Sequence, residues 1–464
     1  MDGGSKVDHR HSRLIKVGIG SLEGLLRLRY GILLLSLTPL ASAQIGGFGS
    51  NTIGGGGVRE ARIGRGGEGI RPFASISGAY DTAAGNPALS NGNFEAQPSY
   101  GVEAGFGAYG TKTWRRTSIG LNYRGDYVHY AKGSFQNGSN QVLSLALTHR
   151  FDKKWSAQID IAAGSTNRIF GALQSYIPFD ANFNSTPTNE VLNSRTNYGQ
   201  VGAHATYDAS RRFGFRFGGT TITTRRATRG LAELQGYSTE AEVFRILSRS
   251  TRITAGYQFN HYHFLGSFGA SDIHSASLRL ERRINRDWRA TLGVQAYRVE
   301  SLGAVVVNLA PEIAALFGRS QGLEAFYRID KIPGYKGALN YQKKQVFLDF
   351  SGELTVAPGN GIFLTSKQTN INASLSYTAE KVWNIGINSS YTRYNSITRN
   401  LEPYNAFVMG GGVTRKMPWL GSHLFFRADA RKFDQANLTT IKQSGYRISG
   451  GIGFSPRAVP LSLW

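Results

Sequence analysis

The sequence contains 464 residues, with 58 glycines, 54 aromatic residues, no cysteine and a formal net charge of +23. A hydrophobic fraction of 41% is enough to bury a core, which excludes an intrinsically disordered chain. The lack of cysteine excludes a disulfide scaffold and any metal or iron–sulfur site with cysteine ligands.

The first predicted element is a secretory signal peptide at residues 1–43. Arg27 and Arg29 precede the apolar run Tyr30–Leu40, and the small residues Ala41-Ser-Ala43 follow as a cleavage site. The run is about half the roughly 20 residues that a spanning helix needs, which favours a cleaved signal over a membrane anchor. The sequence therefore predicts export with cleavage after Ala43. The basic region is unusually long, so a start downstream of Met1 stays open.

Residues 44–70 are predicted to form a flexible periplasmic tail. The segment is rich in glycine, as in Gly54–Gly57, and has no apolar periodicity. Gly64, Gly66 and Gly69 match the spacing of a dinucleotide-binding turn, but such a turn needs a strand before it and a helix after it. The pattern indicates neither, and no cofactor is predicted.

Residues 71–464 alternate apolar and polar side chains with period two, which is typical of strands with one apolar and one polar face. The clearest runs are Trp155, Ala157, Ile159, Ile161 and Ile253, Ala255, Tyr257, Phe259. Eighteen strands are predicted in this way. Sixteen is the alternative, because the first strand and the strand beginning at Lys336 show the weakest alternation.

The predicted connections alternate between short basic turns, such as Asp152–Trp155, and long polar stretches, such as Phe170–Asn197. In lipid every backbone N–H and C=O must be paired, so a sheet with an apolar outer face has to close. The sequence therefore predicts an all-β fold, a transmembrane antiparallel up-and-down β-barrel with both termini on the short-turn side. A large soluble β-protein is the alternative. Aromatic residues that open strands on the turn side are expected to form an interfacial girdle: Trp155, Phe213, Trp288 and Trp383.

Two segments carry a family resemblance. Val356–Ser366 and Phe454–Trp464 resemble those of uncharacterised outer-membrane β-barrel, porin-like proteins of the acidobacterial type. The resemblance implies a location in the cell outer membrane and contact with its lipid. The final residue, Trp464, resembles the C-terminal aromatic signal that the barrel-assembly machinery recognises. Pro456 and Pro460 interrupt the expected alternation before it, so the last strand is predicted to end at Phe454.

The polar face of the strands supplies the candidate functional residues. If apolar residues face lipid, their sequence neighbours face the interior. The predicted channel-lining residues are Arg216, Arg279, Glu281, Arg283, Arg289, Arg427 and Arg431. A barrel of sixteen to eighteen strands is wide enough for an aqueous channel. The sequence thus predicts passive diffusion of small hydrophilic solutes, and the excess of arginine predicts a preference for anions.

Several alternatives stay open. The interior charges could form salt bridges that only hold the barrel's shape, and the barrel could be a plugged structural or surface-binding protein without transport activity. The pattern defines no catalytic or metal site, so an enzyme is not expected. The signal peptide argues against a nucleic-acid partner despite the basic charge. The oligomeric state is left undetermined.

The longest predicted loop is Ser301–Tyr335, and it contains the apolar run Val305–Phe317. A short helix or turn folded into the lumen would cover this run and narrow the pore. Packing on the barrel rim or among the other loops is an equal alternative.

Overall fold

The computed structural model describes residues 69–83, 88–90, 93–95, 97–132, 137–166, 195–227, 231–358, 364–379, 382–397, 402–417, 421–435 and 443–455. Within these ranges the chain forms twenty strands and one short helix. The strands are β1 Gly69–Asp81, β2 Ala88–Ser90, β3 Asn93–Glu95, β4 Ser99–Thr113, β5 Thr117–Tyr130, β6 Gly138–Arg150, β7 Trp155–Thr166, β8 Thr196–Tyr207, β9 Phe213–Arg226 and β10 Glu233–Ser248. They continue as β11 Thr251–Leu265, β12 Gly269–Arg283, β13 Trp288–Asn308, β14 Gln321–Lys343, β15 Val346–Pro358, β16 Thr365–Ala379, β17 Trp383–Ser396, β18 Tyr404–Lys416, β19 Ser422–Gln435 and β20 Gln443–Phe454.

Eighteen of these strands form one closed antiparallel sheet. β4 to β20 are hydrogen-bonded in chain order, and β1 closes the ring by pairing with β20 on one side and β4 on the other. Ile76 in β1, for example, lies opposite both Ala104 of β4 and Ile452 of β20. The prediction of an all-β, 18-stranded antiparallel barrel is confirmed. The separate hairpin of β2 and β3 was not predicted.

The tight turns at one end of the barrel are closed by side chains. Asp152 Oδ1 accepts hydrogen bonds from the backbone N–H groups of Lys154 and Trp155, at 2.6 and 2.7 Å. Asn285 Oδ1 accepts in the same way from Asp287 and Trp288, both at 2.9 Å. Asp and Asn favour such turns because the side-chain oxygen replaces a backbone acceptor. Each of these turns therefore sets the start of the strand that follows it.

The two faces of the sheet differ as the alternation predicts. Ile159 and Leu292 point outward and are 41% and 62% exposed, whereas Thr291, the neighbour of Leu292, is only 7% exposed. Further exposed apolar side chains lie on other strands, among them Ile76, Phe106, Phe217, Leu278, Phe350, Ile387, Met409 and Phe426. The barrel therefore has an apolar exterior around a largely polar interior.

Part of the interior is nevertheless apolar. We call this group the apolar cluster; its members are Ile222, Ala232, Leu234, Tyr262, Phe264, Ile273, Tyr297, Val299, Leu364 and Ile397. Each of them is less than a tenth exposed. They lie toward the loop ends of β9 to β13 and at the loop-side ends of β16 and β17. The sequence pattern did not indicate this core.

The region predicted as the longest loop is mostly strand, so the predicted loop Ser301–Tyr335 is wrong. β13 runs on to Asn308 and β14 begins at Gln321. Between them lies the helix α1, Pro311–Phe317, which has proline in its first turn and ends at Gly318 in the left-handed conformation, with φ 62°. In the described part of the chain no helix is both long and apolar enough to span a membrane.

The chain divides into two compact units. The described part of the smaller unit is Ala304–Phe326, and the barrel residues outside that segment belong to the larger unit. Within the smaller unit the Leu309 N–H donates to the Ser320 carbonyl at 3.0 Å, which closes the hairpin around α1. The predicted placement of Val305–Phe317 in the lumen stays a prediction.

Some predicted segments lie outside the described residues. These are the signal peptide, the tail up to residue 68, and the C-terminal residues 456–464 with the aromatic Trp464. β1 begins at Gly69, so the last two residues of the predicted tail belong to the sheet. The last strand ends at Phe454, as predicted.

Candidate functional site

We call two groups of charged side chains on the interior face the first ladder and the second ladder; a separate ion pair, Lys336–Glu353 at 3.4 Å, lies on β14 and β15. The first ladder lies on β8, β9, β10 and β12 and comprises His204, Arg216, Glu240, Glu242, Arg279 and Glu281. The second ladder lies on β19, β20, β1 and β4 and comprises Arg427, Asp429, Arg431, Asp81, Arg447 and Glu103. Period two places all of them on the same side of the sheet as the buried residues of their strands.

The first ladder is a chain of ion pairs around Glu240 and Arg279. Glu240 Oε1 lies 3.1 Å from His204 Nδ1 and 3.5 Å from Arg216 Nη2. Arg279 Nη2 lies 3.5 Å from Glu242 Oε1, and Arg279 Nε lies 3.2 Å from Glu281 Oε1. Positive and negative groups thus alternate around the wall, with most side chains less than a fifth exposed.

Glycines on the neighbouring strands make room for these side chains. A Cβ atom added at Gly218 of β9 would overlap with the imidazole of His204, which lies directly opposite in the register. Gly410 of β18 has the same relationship to the carboxylate of Asp429. Because a larger residue at either glycine would displace the charged group, Gly218 and Gly410 are part of the ladder geometry.

The second ladder is the more tightly paired. Arg427 Nη2 lies 2.6 Å from Asp429 Oδ1, and Arg431 Nη2 lies 2.7 Å from Asp81 Oδ1, which also accepts from the Ala83 N–H at 2.8 Å. Arg447 is ion-paired with Glu103 across β20, β1 and β4. Two of these contacts cross the seam where β1 closes the barrel: Arg431–Asp81 joins β19 to β1, and Arg447–Glu103 joins β20 to β4. The Arg427–Asp429 pair lies within β19.

The seven predicted channel-lining residues do not form one site. Arg216, Arg279 and Glu281 belong to the first ladder, and Arg427 and Arg431 belong to the second. Arg283 is exposed at the end of β12, where its guanidinium donates to the backbone carbonyls of Asn285 and Arg286 at 3.1 and 3.3 Å. Arg289 lies opposite Arg283 in the register and is also exposed. These two arginines therefore lie at the short-turn rim, beyond the end of the first ladder at Glu281.

Sequence reasoning missed the partners Asp81 and Glu103. Both belong to strands at the closing seam, and the parity of β1 and β4 could have identified them as inward-facing. Their partners could not be predicted, because Asp81 and Arg431 are 350 positions apart and meet only when the barrel closes. Among the described residues no group of three or more His, Asp and Glu side chains is arranged to hold a metal ion.

Aromatic side chains collect at the short-turn end of the barrel. Trp155 packs on Tyr207 and Trp288 packs on Tyr341, each with 4.7 Å between ring centroids. The guanidinium of Arg415 lies 5.1 Å from the ring of Trp383. Three of the four aromatic residues predicted for a girdle thus have an aromatic or cationic partner on an adjacent strand.

Comparison with protein-family models gives no match, and comparison with curated proteins gives none either. Similar solved structures include OccAB3 from Acinetobacter baumannii, with a TM-score of 0.40 and 8% identity over 83% of this chain and 98% of that chain. A BenF-like porin from Pseudomonas fluorescens Pf-5 has a TM-score of 0.40 and 9% identity, with the same two coverages of 83% and 98%. OpdK from Pseudomonas aeruginosa, solved with vanillate, has a TM-score of 0.39 and 8% identity over 83% and 98%.

Proposed function

We propose that this protein is an outer-membrane channel for the passive diffusion of small hydrophilic solutes. The observation that carries the proposal is a closed 18-stranded barrel whose interior bears two ladders of charged side chains and whose exterior is apolar. Charged side chains favour water around them, and a barrel of this strand number has room for water beside its wall. Charges on the inner wall then act directly on whatever solute passes.

The apolar exterior supports a membrane location. Residues such as Leu292, Val294 and Ile452 are more than half exposed on the outer face. A water-soluble protein rarely leaves so many apolar side chains uncovered, whereas lipid covers them without cost. The aromatic residues at the short-turn end match the level of a lipid headgroup boundary. With the predicted export signal at residues 1–43, the apolar exterior favours the outer membrane, with the short turns and both ends of the sheet on the periplasmic side.

The ladders bear on charge selectivity. Each arginine of the first ladder lies beside a glutamate, and the arginines of the second ladder alternate with Asp81, Asp429 and Glu103. Paired charges leave a smaller net field in the lumen than the arginine count alone predicts. The first ladder has two arginines and three glutamates beside His204, and the second has three arginines and three carboxylates, so the ladders themselves carry no excess of arginine. An anion preference stays a prediction.

The proposal includes three kinds of partner. Outer-membrane lipid contacts the apolar exterior, small solutes or anions contact the ladders, and the barrel-assembly machinery recognises the C-terminal aromatic Trp464. It assigns no cofactor and no catalytic step to the chain. It also treats residues 1–43 as a cleaved signal and residues 44–68 as a periplasmic tail.

Liposome swelling tests the proposal directly. The folded barrel is reconstituted in liposomes, which are then diluted into isotonic solutions of neutral sugars of increasing size. Diffusion through a channel predicts swelling that is fast for a pentose and slower for larger sugars. Swelling no faster than that of protein-free liposomes for every sugar would contradict the proposed function.

A further inference from the structure

The apolar cluster lies inside the barrel, on an interior face whose other side chains are mostly polar. Ile222 and Ile273 have the same inward parity as the ladder residues Arg216 and Arg279 of their own strands. Tyr262 has the inward parity of the buried Asn260 and Thr254 of β11. Ile222 and Val299 are 0% exposed and Ile273 is 1% exposed. Side chains on the wall of a water-filled lumen would be wetted, so something else in the interior must cover these residues.

The cover comes from residues that flank β16 and β17, together with Ile332 of β14 and Val356 of β15, which are partly buried against the cluster. Leu364 lies immediately before β16 and is 1% exposed, and Ile397 lies immediately after β17 and is 8% exposed. A Cβ atom added at Gly269, the first residue of β12, would lie 3.0 Å from a terminal methyl carbon of Leu364. Leu364 therefore reaches the wall at β12. Ile397, whose N–H donates to the Thr365 carbonyl at 3.0 Å, belongs to the same apolar cluster.

A contact between two hydroxyl groups also joins β12 to β16. Ser271 Oγ of β12 and Thr365 Oγ1 of β16 lie 2.5 Å apart, and both residues are at most 1% exposed. β12 and β16 are four positions apart in the sheet, a path of about 19 Å along the wall at the usual strand spacing. Contact between them means that the wall bends inward at the loop side and that the interior is locally filled.

We propose that the apolar cluster is the narrowest section of the channel, a hydrophobic constriction built by Leu364 and Ile397 against β9 to β13. The inference rests on the proposed diffusion function and identifies the section of the channel that limits the passage of solutes. An apolar constriction disfavours water and strongly hydrated ions, and it passes small neutral solutes more readily. The ladders then act on the solute at a separate level, since Arg279 lies eight residues from Ser271 on β12, about 26 Å along the strand.

The first test measures single-channel conductance in potassium chloride for the variant Leu364→Ser/Ile397→Ser. Polar, smaller side chains should wet and widen the constriction, so conductance should rise several-fold. The matched control is Val128→Ser, a fully buried inward residue of β5 outside the cluster, for which no rise is expected. A double variant that conducts like the wild type while the wild type shows clear channels would overturn the constriction and leave the diffusion function standing.

A wild type that shows no conductance would distinguish the diffusion function from the constriction. If the wild type is silent and the double variant conducts, the constriction is supported and diffusion of ions through the wild type is contradicted, and the swelling assay with neutral sugars then decides whether small neutral solutes pass. If both are silent although both are folded and inserted, the diffusion function fails, and the constriction that rests on it fails as well.

The second test uses cross-linking, because the natural chain has no cysteine. The variant Ser271→Cys/Thr365→Cys should form a disulfide with copper phenanthroline as oxidant, since side chains in contact allow the required Cβ separation of about 4 Å. The control Ser277→Cys/Thr365→Cys places one thiol six residues further along β12, about 20 Å away, and should not cross-link. Equal cross-linking in both variants, or none in the first, would show that β12 and β16 do not meet and would overturn the constriction.

Discussion

Ser271 and Thr365 are in direct contact through their hydroxyl groups, although the strands that bear them are four positions apart in an 18-stranded ring. A circular wall would hold these strands well apart, so the barrel is indented on its loop side. The indentation brings Leu364 onto β12 and buries apolar residues that face inward. The interior therefore differs along its length: the loop side is filled by the apolar cluster, and the first ladder lines the wall further toward the short turns.

The facing of β7 gives the first prediction. Ile159 is exposed on the apolar exterior, whereas Gln158 faces inward and donates hydrogen bonds to Asp160 at 3.0 and 2.9 Å. Ile159→Arg should lower the free energy of unfolding by about 2–4 kcal/mol, since it places a charge in lipid. Gln158→Arg is the matched control and should be tolerated beside Asp160. Urea unfolding in lipid vesicles measures both, and the reverse order of the two costs would mean that the register of β7 is shifted by one residue.

The closing seam gives the second prediction. Asp81 is fully buried and pairs with Arg431 at 2.7 Å. Asp81→Asn leaves a buried guanidinium beside a neutral amide, and it should lower the free energy of unfolding by about 3 kcal/mol. The double variant Asp81→Asn/Arg431→Gln removes both charges and should recover part of the loss. If the double variant is less stable than the single one, the ion pair is not the source of the effect.

Charge selectivity gives the third prediction. Arg279 and Glu242 are ion-paired at 3.5 Å in the first ladder. Neutralising Arg279 makes the net charge of the lumen wall more negative by one, and neutralising Glu242 makes it more positive by one. Arg279→Gln should shift the reversal potential toward cations, and Glu242→Gln should shift it toward anions. Arg283→Gln, at the exposed short-turn rim, should have the smaller effect. Shifts of the same sign for Arg279→Gln and Glu242→Gln would place the first ladder away from the ion path.

The turn between β6 and β7 gives a prediction on pH. Hydrogen bonds from the backbone N–H groups of Trp155 and Lys154 hold the pKa of Asp152 below its usual value. A lowered pKa in the folded state stabilises the fold above the unfolded value of about 4, and this contribution is lost as the pH falls through the folded value. Unfolding measured from pH 6 down to pH 3 should therefore show a shallower loss of stability for Asp152→Asn than for the wild type. Identical pH profiles would show that the carboxylate does not stabilise the turn.

Most of the barrel could be predicted from the sequence, because the alternation of apolar and polar residues indicates both where the strands are and which side chains point outward. Ile159 and Leu292 lie on the outer face as the alternation requires, and the strand count agrees with the closed ring. The extension of β14 was partly readable, since Tyr327 and Ile329 alternate with Arg328 and Asp330, although Phe326 interrupts the alternation before them. It was missed because the preceding apolar run, Val305–Val307, has no alternation.

The parts that the sequence did not predict depend on distant contacts. The inward parity of Arg279 could be inferred, but its partner Glu242 lies two strands away, and the pairing depends on the register. Leu364 and Ile397 looked like ordinary loop residues, because nothing local shows that they belong to the apolar cluster. Local periodicity determines which face a residue occupies, whereas the indentation of the wall is a property of the closed ring.

The conductance of the purified wild-type barrel in a planar lipid bilayer tests the central claim most directly. A diffusion channel with an apolar constriction predicts discrete, stepwise openings of small unit conductance in potassium chloride, with a reversal potential near zero or weakly anion-selective in a salt gradient. Heat-modifiable migration in detergent should confirm that the same sample is folded. A folded, inserted barrel that never conducts, under any applied voltage, would contradict the account.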